Sequence, residues 1–287
     1  MILVCFDTET TGLDVQKEHI IQLSLVKVET DNWEILDQRD WYILPEEEFT
    51  IPAEAEAVHH ISKDFLLEHG VSLRSVYDDL MAFTEGCDIL SYNGNGYDAP
   101  ILYYNLKRAG LSFDFNDRTW YDALLLERIH TAGKVDENGE KLHNNLTAAY
   151  TRYYGHPFEG AHNSLDDVMA TIEVFKAQIA AHGWEWAQRD EFGFICFDRW
   201  LIKKGNSFML NMGNNKGQMI DAVDRSYLEW IVDKCQWTDD QTREIINPYI
   251  GRYTSPFSPT AANGAKPSSR GKKRSKGTIT DADLCLF

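Results

Sequence analysis

The most informative stretch of this sequence is FDTETTGL, at residues 6–13, which continues an apolar run that begins at Ile2. Asp7 and Glu9 stand two residues apart, and because the side chains of a strand alternate between its faces, both carboxylates point to the same face. Two acids this close raise each other's pKa and cost stability unless a positive charge lies between them. Hard oxygen ligands of this kind suit Mg²⁺ or Mn²⁺. The stretch therefore indicates either a divalent-metal site or, in the simpler interpretation, a strand that ends in solvated acids before a Thr-Thr-Gly turn.

Three more segments accompany this stretch. They are AVHHIS at residues 57–62, SYNGNGYD at residues 91–98, and AHNSLDDVMAT at residues 161–171, in which His162 stands five residues before Asp167. With these segments in this order the chain resembles the DEDDh exonucleases, the DnaQ-like 3′→5′ exonucleases that include the proofreading subunit of bacterial replicative polymerase, over roughly residues 1–180. The resemblance implies an α/β fold of the RNase H-like class, with a mixed central sheet flanked by helices.

The resemblance also implies a role for each of five polar residues. Asp7, Glu9 and Asp167 are implied to be direct ligands of two divalent ions, Mg²⁺ or Mn²⁺, with Asp7 bridging the two. Asp98 is implied to be the fourth acid, which holds the second ion directly or through water, and His162 to be the general base. Two ions about 3.5–4 Å apart stabilise both the attacking and the leaving oxygen of a phosphodiester. The unperturbed pKa of histidine, about 6.5, suits base catalysis near neutral pH.

Each assignment has a simpler alternative. A histidine ahead of a helix is commonly just a polar residue on the surface, and only the spacing of His162 to Asp167 favours a role as general base. Of the adjacent Asp166 and Asp167, one is expected to be only an acid at a helix N-terminus, and the family register selects Asp167 because Thr171 then matches the family's helix threonine. Asp98 is also suited to be a helix N-cap ahead of Pro100.

A pocket for the terminal nucleotide is implied beside these acids. Its candidate residues are Thr8, Leu13, His59 and Asn93, and Leu13 and His59 match family positions that pack on the terminal base and sugar. The chain departs from the family pattern at His60, where glycine is usual and indicates a tight backbone. It also departs in the glycine-rich loop around Asn93, where we expect the backbone to approach a sugar or phosphate, or to form an ordinary loop.

Composition limits the setting in which such a protein works. The chain has 287 residues, 43% of them hydrophobic, which is enough to bury a core. Its five cysteines are scattered without a Cys-x-x-Cys pair, which argues for a reducing compartment and against zinc. The N-terminus is typical of a strand rather than a signal peptide, and no apolar run approaches membrane-spanning length. We therefore expect no membrane association and a cytoplasmic location in a bacterial or phage-infected cell.

The net charge of −17 is divided unevenly along the chain. Residues 251–287 carry a net charge of +5, which leaves −22 for residues 1–250. An acidic body repels DNA at a distance, so weak intrinsic affinity and a benefit from tethering are expected. The basic residues of the tail are Arg252, Lys266, Arg270, Lys272, Lys273, Arg274 and Lys276.

Patterning divides the chain into three parts: an exonuclease domain over residues 1–185, a small hairpin-helix accessory domain of α+β type over 190–250, and a disordered basic tail over 251–287. Within the first part, strand-like runs occur at 2–7, 20–29, 36–44 and 89–92, and helical patterns at 63–68, 72–85, 98–109, 120–130, 144–154 and 164–182. Residues 135–141 indicate an exposed hairpin-like or disordered excursion.

The accessory domain is predicted to contain a strand at 194–197, a hairpin over 208–220 with a Gly-Asn-Asn-Lys-Gly turn, and an amphipathic helix after Asp224. It resembles a small domain often attached to exonucleases of this kind. A packing role and a role in binding substrate are both open. Tyr227 and Trp230 are expected to be core residues.

The last five residues, DLCLF at 283–287, differ from the rest of the tail. They resemble the bacterial sliding-clamp-binding motif, Gln-Leu-Ser/Asp-Leu-Phe, in which Leu284, Leu286 and Phe287 match the apolar anchors and Asp283 replaces the usual Gln. The preceding linker has a root-mean-square reach of roughly 30 Å, which allows an anchored body to search DNA.

These observations predict a metal-dependent 3′→5′ exodeoxyribonuclease that acts on single-stranded DNA or the 3′ ends of duplex DNA in replication, proofreading or repair. One alternative is an exoribonuclease that trims RNA 3′ ends, because the motifs do not separate the two sugars. An alternative of another class is a non-catalytic factor that binds a clamp or polymerase. The presence of all five catalytic residue types argues against that alternative.

Overall fold

A computed structural model describes residues 1–115, 118–160, 163–187, 200–236 and 238–252 of the chain. The described residues fall into two compact units, one within Met1–Phe197 and the other within Asp198–Phe287. Within these ranges, no helix combines the length and the apolar character needed to span a membrane.

The first unit is built on a five-stranded sheet with the strand order β3-β2-β1-β4-β5. Its strands are β1 (Ile2–Thr10), β2 (Ile20–Glu29), β3 (Glu34–Tyr42), β4 (Asp88–Ser91) and β5 (Trp120–Asp122). β2 is antiparallel to both β1 and β3, whereas β4 is parallel to β1 and to β5. The sheet is therefore mixed, as predicted, and β1, β4 and β5 present their carboxyl ends at one edge.

Helices flank this sheet, which confirms the predicted fold class. They are α1 (Ala53–His59), α2 (Lys63–His69), α3 (Leu73–Thr84), α4 (Asp98–Arg108), α5 (Ala123–Thr131), α6 (Leu146–Tyr154), α7 (Ser164–His182) and the short α8 (Trp184–Ala187). The bounds of α7 agree with the prediction, because its first turn is capped by Asn163 and Gly183 ends it. The sequence did not predict α1, which buries only His59 and so has no apolar stripe to detect.

The alternation of β1 sorts its side chains between two cores. Val4 and Phe6 pack in the cluster that includes α3 and α4, whereas Leu3 and Cys5 pack in the cluster that includes α7. The odd-numbered positions of β1 thus face α7. Beyond Cys5 the same alternation continues to the carboxyl end of the strand, where the acids stand.

Two local predictions for this unit need correction. The predicted helix at 120–130 starts only at Ala123, because residues 120–122 form β5 and pair with β4. β3 runs from Glu34 to Tyr42 rather than over 36–44, and Ile43 forms an isolated bridge with Val71 instead. The excursion at 135–141 is exposed and closed by a Val135–Lys141 bridge, so it is hairpin-like.

The second unit contains β6 (Leu201–Lys204), β7 (Ser207–Leu210), α9 (Arg225–Asp233) and α10 (Asp240–Ile246). The regular hairpin joins β6 to β7, one turn earlier in the chain than the predicted hairpin over 208–220. The Gly-Asn-Asn-Lys-Gly turn leads back only to a single bridge between Met209 and Met219. The predicted strand at 194–197 and the predicted disordered tail from residue 253 onward lie outside the described residues.

An aromatic group organises the second unit. Tyr227 and Trp230 are half-buried and stack with their ring centroids 5.7 Å apart, and both meet the fully buried Trp200 edge-on. Gly213 lies against this group, because a Cβ added there would stand 2.2 Å from the Tyr227 hydroxyl. The two aromatic residues on α9 therefore pack internally, as predicted.

Candidate metal centre and active site

Three carboxylates from two elements converge at the carboxyl end of β1. Asp7 and Glu9 continue the face of β1 that packs on α7, and Asp167 lies in the first turn of α7. One carboxylate oxygen from each of the three residues lies within 4.8 Å of the other two. Ser164 joins the two elements directly, because its Oγ donates a hydrogen bond of 2.9 Å to the backbone carbonyl of Asp7.

The structure distinguishes Asp167 from its neighbour. Asp166 is exposed and lies against Gly160, where an added Cβ would stand 2.3 Å from its Oδ2. Asp167 is half-buried and is the member of the pair that reaches Asp7 and Glu9. The residue singled out by the family register is thus the one that the fold brings to the strand acids.

Asp98, the fourth acid, is held beside this group by Thr8. Its side chain is 4% exposed, and its Oδ1 accepts hydrogen bonds from the backbone N–H of Thr8 at 3.0 Å and from the Thr8 hydroxyl at 2.6 Å. Asp98 is the first residue of α4, and Tyr97 occupies the N-cap position without a side-chain cap. The alternative role of Asp98 as an N-cap is therefore wrong.

Burial and mutual repulsion make this group of acids electrostatically unfavourable when all are ionised. Burial and then the charges of Asp98, Asp167 and Glu9 raise the pKa of Asp7 well above its usual range. Burial and then Asp167 and Asp98 raise the pKa of Glu9 to about 8. Burial raises the pKa of Asp98 to about 7, although the hydrogen bonds from Thr8 lower it. Converging carboxylate oxygens with such pKa values suit a divalent cation that prefers oxygen ligands.

The candidate substrate residues lie on four segments of the first unit: Thr8 on β1, Leu13 on the turn after it, His59 at the end of α1 and Asn93 in the loop after β4. Leu13, on the turn after β1, is 87% exposed. The turn itself is fixed, because the carbonyl of Gly12 accepts hydrogen bonds from the Tyr97 hydroxyl at 2.6 Å and from Thr10 Oγ1 at 3.0 Å. An exposed leucine on a fixed turn is available for contact with a flat apolar group.

His59 and His60 end α1 in different ways. His59 is buried, its Nδ1 accepts the N–H of Ile61 at 3.0 Å, and burial lowers its pKa. This hydrogen bond assigns the neutral tautomer with the proton on Nε2. His60 is exposed and has φ of 60°, in the left-handed region, where its N–H bonds to the carbonyl of Glu56. Glycine adopts this left-handed conformation without strain, which explains why the family that the chain resembles usually has glycine at this position.

The loop that leads to Asp98 is held by an acid that the sequence did not reveal. Asn93 has φ of 66°, and its N–H donates a hydrogen bond of 2.9 Å to Oδ1 of Asp122. An added Cβ on Gly94 would stand 2.1 Å from Ser91 Oγ, so this glycine is required by packing within the loop. The sequence did not predict a role for Asp122, because the pattern over residues 120–130 indicates a single helix. An Asp that ends a strand and caps a helix is nevertheless a recognisable signal.

Four predicted site residues cannot be placed. His162 lies outside the described residues, in the gap directly before the cap of α7. Leu284, Leu286 and Phe287 also lie outside them, at the end of the tail.

Comparison with known proteins extends this picture. The sequence matches the Exonuclease family, RNase_T, over residues 4–175. It is 25% identical over 199 residues to human Three-prime repair exonuclease 1, an alignment that covers 60% of this chain and 62% of the human protein. It is also 25% identical over 180 residues to the DNA polymerase III subunit epsilon of Treponema pallidum, covering 62% of this chain and 76% of that protein. This chain spans less than two thirds of the length of the first curated relatives it matches.

Solved structures share the fold. Escherichia coli Exonuclease I in complex with a dT13 oligonucleotide matches with a TM-score of 0.53 at 17% identity, covering 62% of this chain and 41% of that chain. The nuclease domain of 3′hExo, a DEDDh family member bound to rAMP, matches with a TM-score of 0.51 at 16% identity, covering 63% of this chain and 92% of that chain. These likenesses confirm the RNase H-like architecture of the first unit.

Proposed function

Because the chain belongs to the Exonuclease family, RNase_T, we propose that it is a metal-dependent 3′→5′ exonuclease that releases nucleoside monophosphates from the 3′ ends of DNA. The observation that carries the proposal is the convergence of Asp7, Glu9 and Asp167 within 4.8 Å at the end of β1. The raised pKa values of Asp7 and Glu9 mean that a bound cation would stabilise the ionised form of these carboxylates.

Different residues of the chain bind the metal ions and accept the proton during hydrolysis in this proposal. Asp7, Glu9 and Asp167 would hold two divalent ions, Mg²⁺ or Mn²⁺, and Asp98 would complete the ligand set of the second. A pair of such ions, when bound, activates water and stabilises charge on the attacking and leaving oxygens. His162 accepts the proton of the attacking water, a role that suits an unperturbed pKa of about 6.5.

The terminal nucleotide binds beside the acids in this proposal. Leu13 packs on the terminal base, since its side chain is exposed on a turn whose carbonyl at Gly12 is fixed. His59 contacts the sugar, and Thr8 and Asn93 complete the pocket. Thr8 keeps its backbone and hydroxyl bonds to Asp98 while doing so, which couples the pocket to the metal ligands.

DNA is the favoured substrate for two reasons. The two relatives described above are named as a repair exonuclease and as a subunit of a DNA polymerase. The basic residues of the tail supply the phosphate attraction that the acidic body lacks, since residues 1–250 carry a net charge of −22. We therefore place the activity in replication, proofreading or repair.

A sliding clamp is the proposed tether for this acidic enzyme. Leu284, Leu286 and Phe287 would enter the clamp's apolar pocket, and the linker would raise the local concentration of the catalytic unit on DNA. Deleting residues 283–287 is expected to abolish stimulation by a bacterial sliding clamp on primed DNA, with clamp-independent activity unchanged. Clamp stimulation that survives the deletion would refute the tether and leave the nuclease proposal intact.

The test of the activity uses 5′-labelled single-stranded DNA and an RNA of the same sequence, with Mg²⁺ or Mn²⁺, for the wild type and Asp7→Ala. Asp37→Asn is the matched control, because Asp37 is an exposed acid on β3 away from the cluster. A ladder of shortened DNA from the wild type and the control, but not from Asp7→Ala, is expected. Faster cutting of RNA would reassign the enzyme as an exoribonuclease, and absence of cleavage in both metals would favour a non-catalytic binding factor.

A further inference from the structure

Asp122 is a buried acid that the proposed mechanism does not use. It ends β5, and its side chain is only 2% exposed. An ionisable group so buried is retained only when hydrogen bonds compensate its lost hydration. Its partners therefore indicate what it does.

Two segments of backbone share this one carboxylate. Its Oδ1 accepts the N–H of Asn93 at 2.9 Å and the N–H of Leu124 at 3.0 Å. The parallel register of β4 and β5 pairs Ser91 with Asp122, which sets the acid directly beside the end of β4. Asp122 thus connects the first turn of α5 to the loop that follows β4.

That loop determines where α4 begins. Asn93 holds a left-handed φ of 66°, which most residues with a side chain rarely adopt and which asparagine tolerates better than most. From there the loop closes on itself, since the N–H of Gly96 bonds to the carbonyl of Asn93 at 2.9 Å and the N–H of Ala99 bonds to the carbonyl of Gly94 at 2.9 Å. Asp98 lies directly before Ala99 in this hydrogen-bonded loop, so the conformation of Asn93 sets the position of the fourth acid.

We infer that Asp122 is a positioning residue for the active site: its carboxylate holds Asn93 in the left-handed conformation and thereby fixes Asp98 beside Thr8. The inference rests on the proposed function for the role of Asp98. It differs from a simple helix cap, because capping α5 requires only the hydrogen bond from Leu124. A residue that only caps would change stability without changing the metal centre.

The test compares full-length Asp122→Ala, which removes the oxygen that accepts both N–H groups, with Ser72→Ala. Ser72 is the matched control, because it caps α3 through a hydrogen bond of 3.1 Å from the N–H of Ser75, in the same unit but on another helix. Mn²⁺ affinity is measured from the electron paramagnetic resonance signal of free Mn²⁺, alongside melting temperature, kcat and KM on single-stranded DNA. Asp122→Ala is expected to weaken Mn²⁺ binding and lower kcat by about 10- to 100-fold, the usual cost of losing a group that orients a metal ligand, with a smaller change in KM. Ser72→Ala is expected to lower only the melting temperature.

A second substitution separates positioning from capping. Glycine adopts a left-handed φ without strain, so Asn93→Gly combined with Asp122→Ala is expected to recover part of the lost Mn²⁺ affinity. If Asp122→Ala does not fold, Asn93→Ala takes its place, because alanine disfavours the same conformation and should weaken Mn²⁺ binding similarly.

Three outcomes would overturn the inference: Mn²⁺ affinity of Asp122→Ala equal to that of the wild type, an equal loss in Ser72→Ala, or wild-type affinity in Asn93→Ala. A wild-type protein that cleaves neither DNA nor RNA would instead refute the proposed function. The Mn²⁺ measurements decide the role of Asp122 in either case.

Discussion

We predict that Asp98→Asn will stabilise the metal-free protein at pH 8 while abolishing its nuclease activity. Asparagine has nearly the shape of aspartate, and its side-chain oxygen can still accept the hydrogen bonds from the backbone and hydroxyl of Thr8. It carries no charge, so it removes the repulsion with Asp7 and the cost of burying an ionised carboxylate. Function and stability are therefore expected to move in opposite directions.

The size and pH dependence of the effect follow from the pKa of Asp98, which burial raises from 3.8 to about 7 in the folded protein. Below about pH 3 the acid is protonated in both the folded and the unfolded state. As the pH rises, the folded state keeps a proton that the unfolded chain releases, so the free energy of unfolding of the wild type falls until the pH passes about 7. At about 1.4 kcal/mol per pKa unit, the loss is about 4 kcal/mol at pH 8 and about 2 kcal/mol at pH 5.5.

Thermal unfolding in EDTA between pH 5.5 and 8 measures this difference. The variant should melt above the wild type, by a margin that grows with pH, and Mn²⁺ should narrow the margin because it binds the complete wild-type ligand set more tightly than the set that lacks the Asp98 carboxylate. Asp37→Asn is the control, since hydrogen bonds from Gln38 and Arg39 lower the pKa of Asp37 and its removal should not stabilise at any pH. A variant that melts at or below the wild type at pH 8 would refute the electrostatic reasoning.

Three further substitutions address substrate contact, buried charge and backbone strain. Leu13→Ala should leave the melting temperature unchanged, because the side chain is 87% exposed, and should raise KM for single-stranded DNA; an unchanged KM would exclude Leu13 from the pocket. Arg152→Ala should destabilise by about 3–5 kcal/mol in urea unfolding, because it leaves the fully buried Glu127 without its ion pair; a loss below about 1 kcal/mol would show that the pair is dispensable. His60→Gly should stabilise by about 1 kcal/mol, because glycine relieves a left-handed φ of 60°, and any loss of stability would contradict this.

The strand and helix periodicity of the sequence predicted the parts of the site that lie on regular strands and helices. The spacing of Asp7 and Glu9 predicted their shared face because side chains alternate along β1, and the helical pattern over 164–182 predicted the bounds of α7 and hence the place of Asp167. What brings these elements together is the sheet order, in which β1 lies between β2 and β4. The resemblance to a family implied a mixed central sheet but not this order, and period alone does not specify which strands pair.

Features that depend on single long-range contacts were not visible in the sequence. β5 has only three residues, too few for an alternation to appear, so Asp122 was hidden within a helical pattern. The bonds from Thr8 to Asp98 join residues 90 positions apart and decide that Asp98 is not an N-cap. The hairpin of the second unit was displaced for a related reason: Gly205 makes a short turn between β6 and β7, whereas the more conspicuous turn at 213–217 leads only to one bridge.

The central claim is that the acids at the end of β1 and the start of α7 form a metal centre that removes nucleotides from 3′ ends. It is tested most directly with two 5′-labelled oligodeoxynucleotides of one sequence, one with a free 3′ hydroxyl and one ended by an inverted nucleotide, each incubated with Mg²⁺ or with EDTA. We predict a descending ladder only for the free 3′ end and only with the metal, and none from Asp167→Asn. Cleavage of the blocked strand, cleavage in EDTA, or full activity of Asp167→Asn would contradict the account.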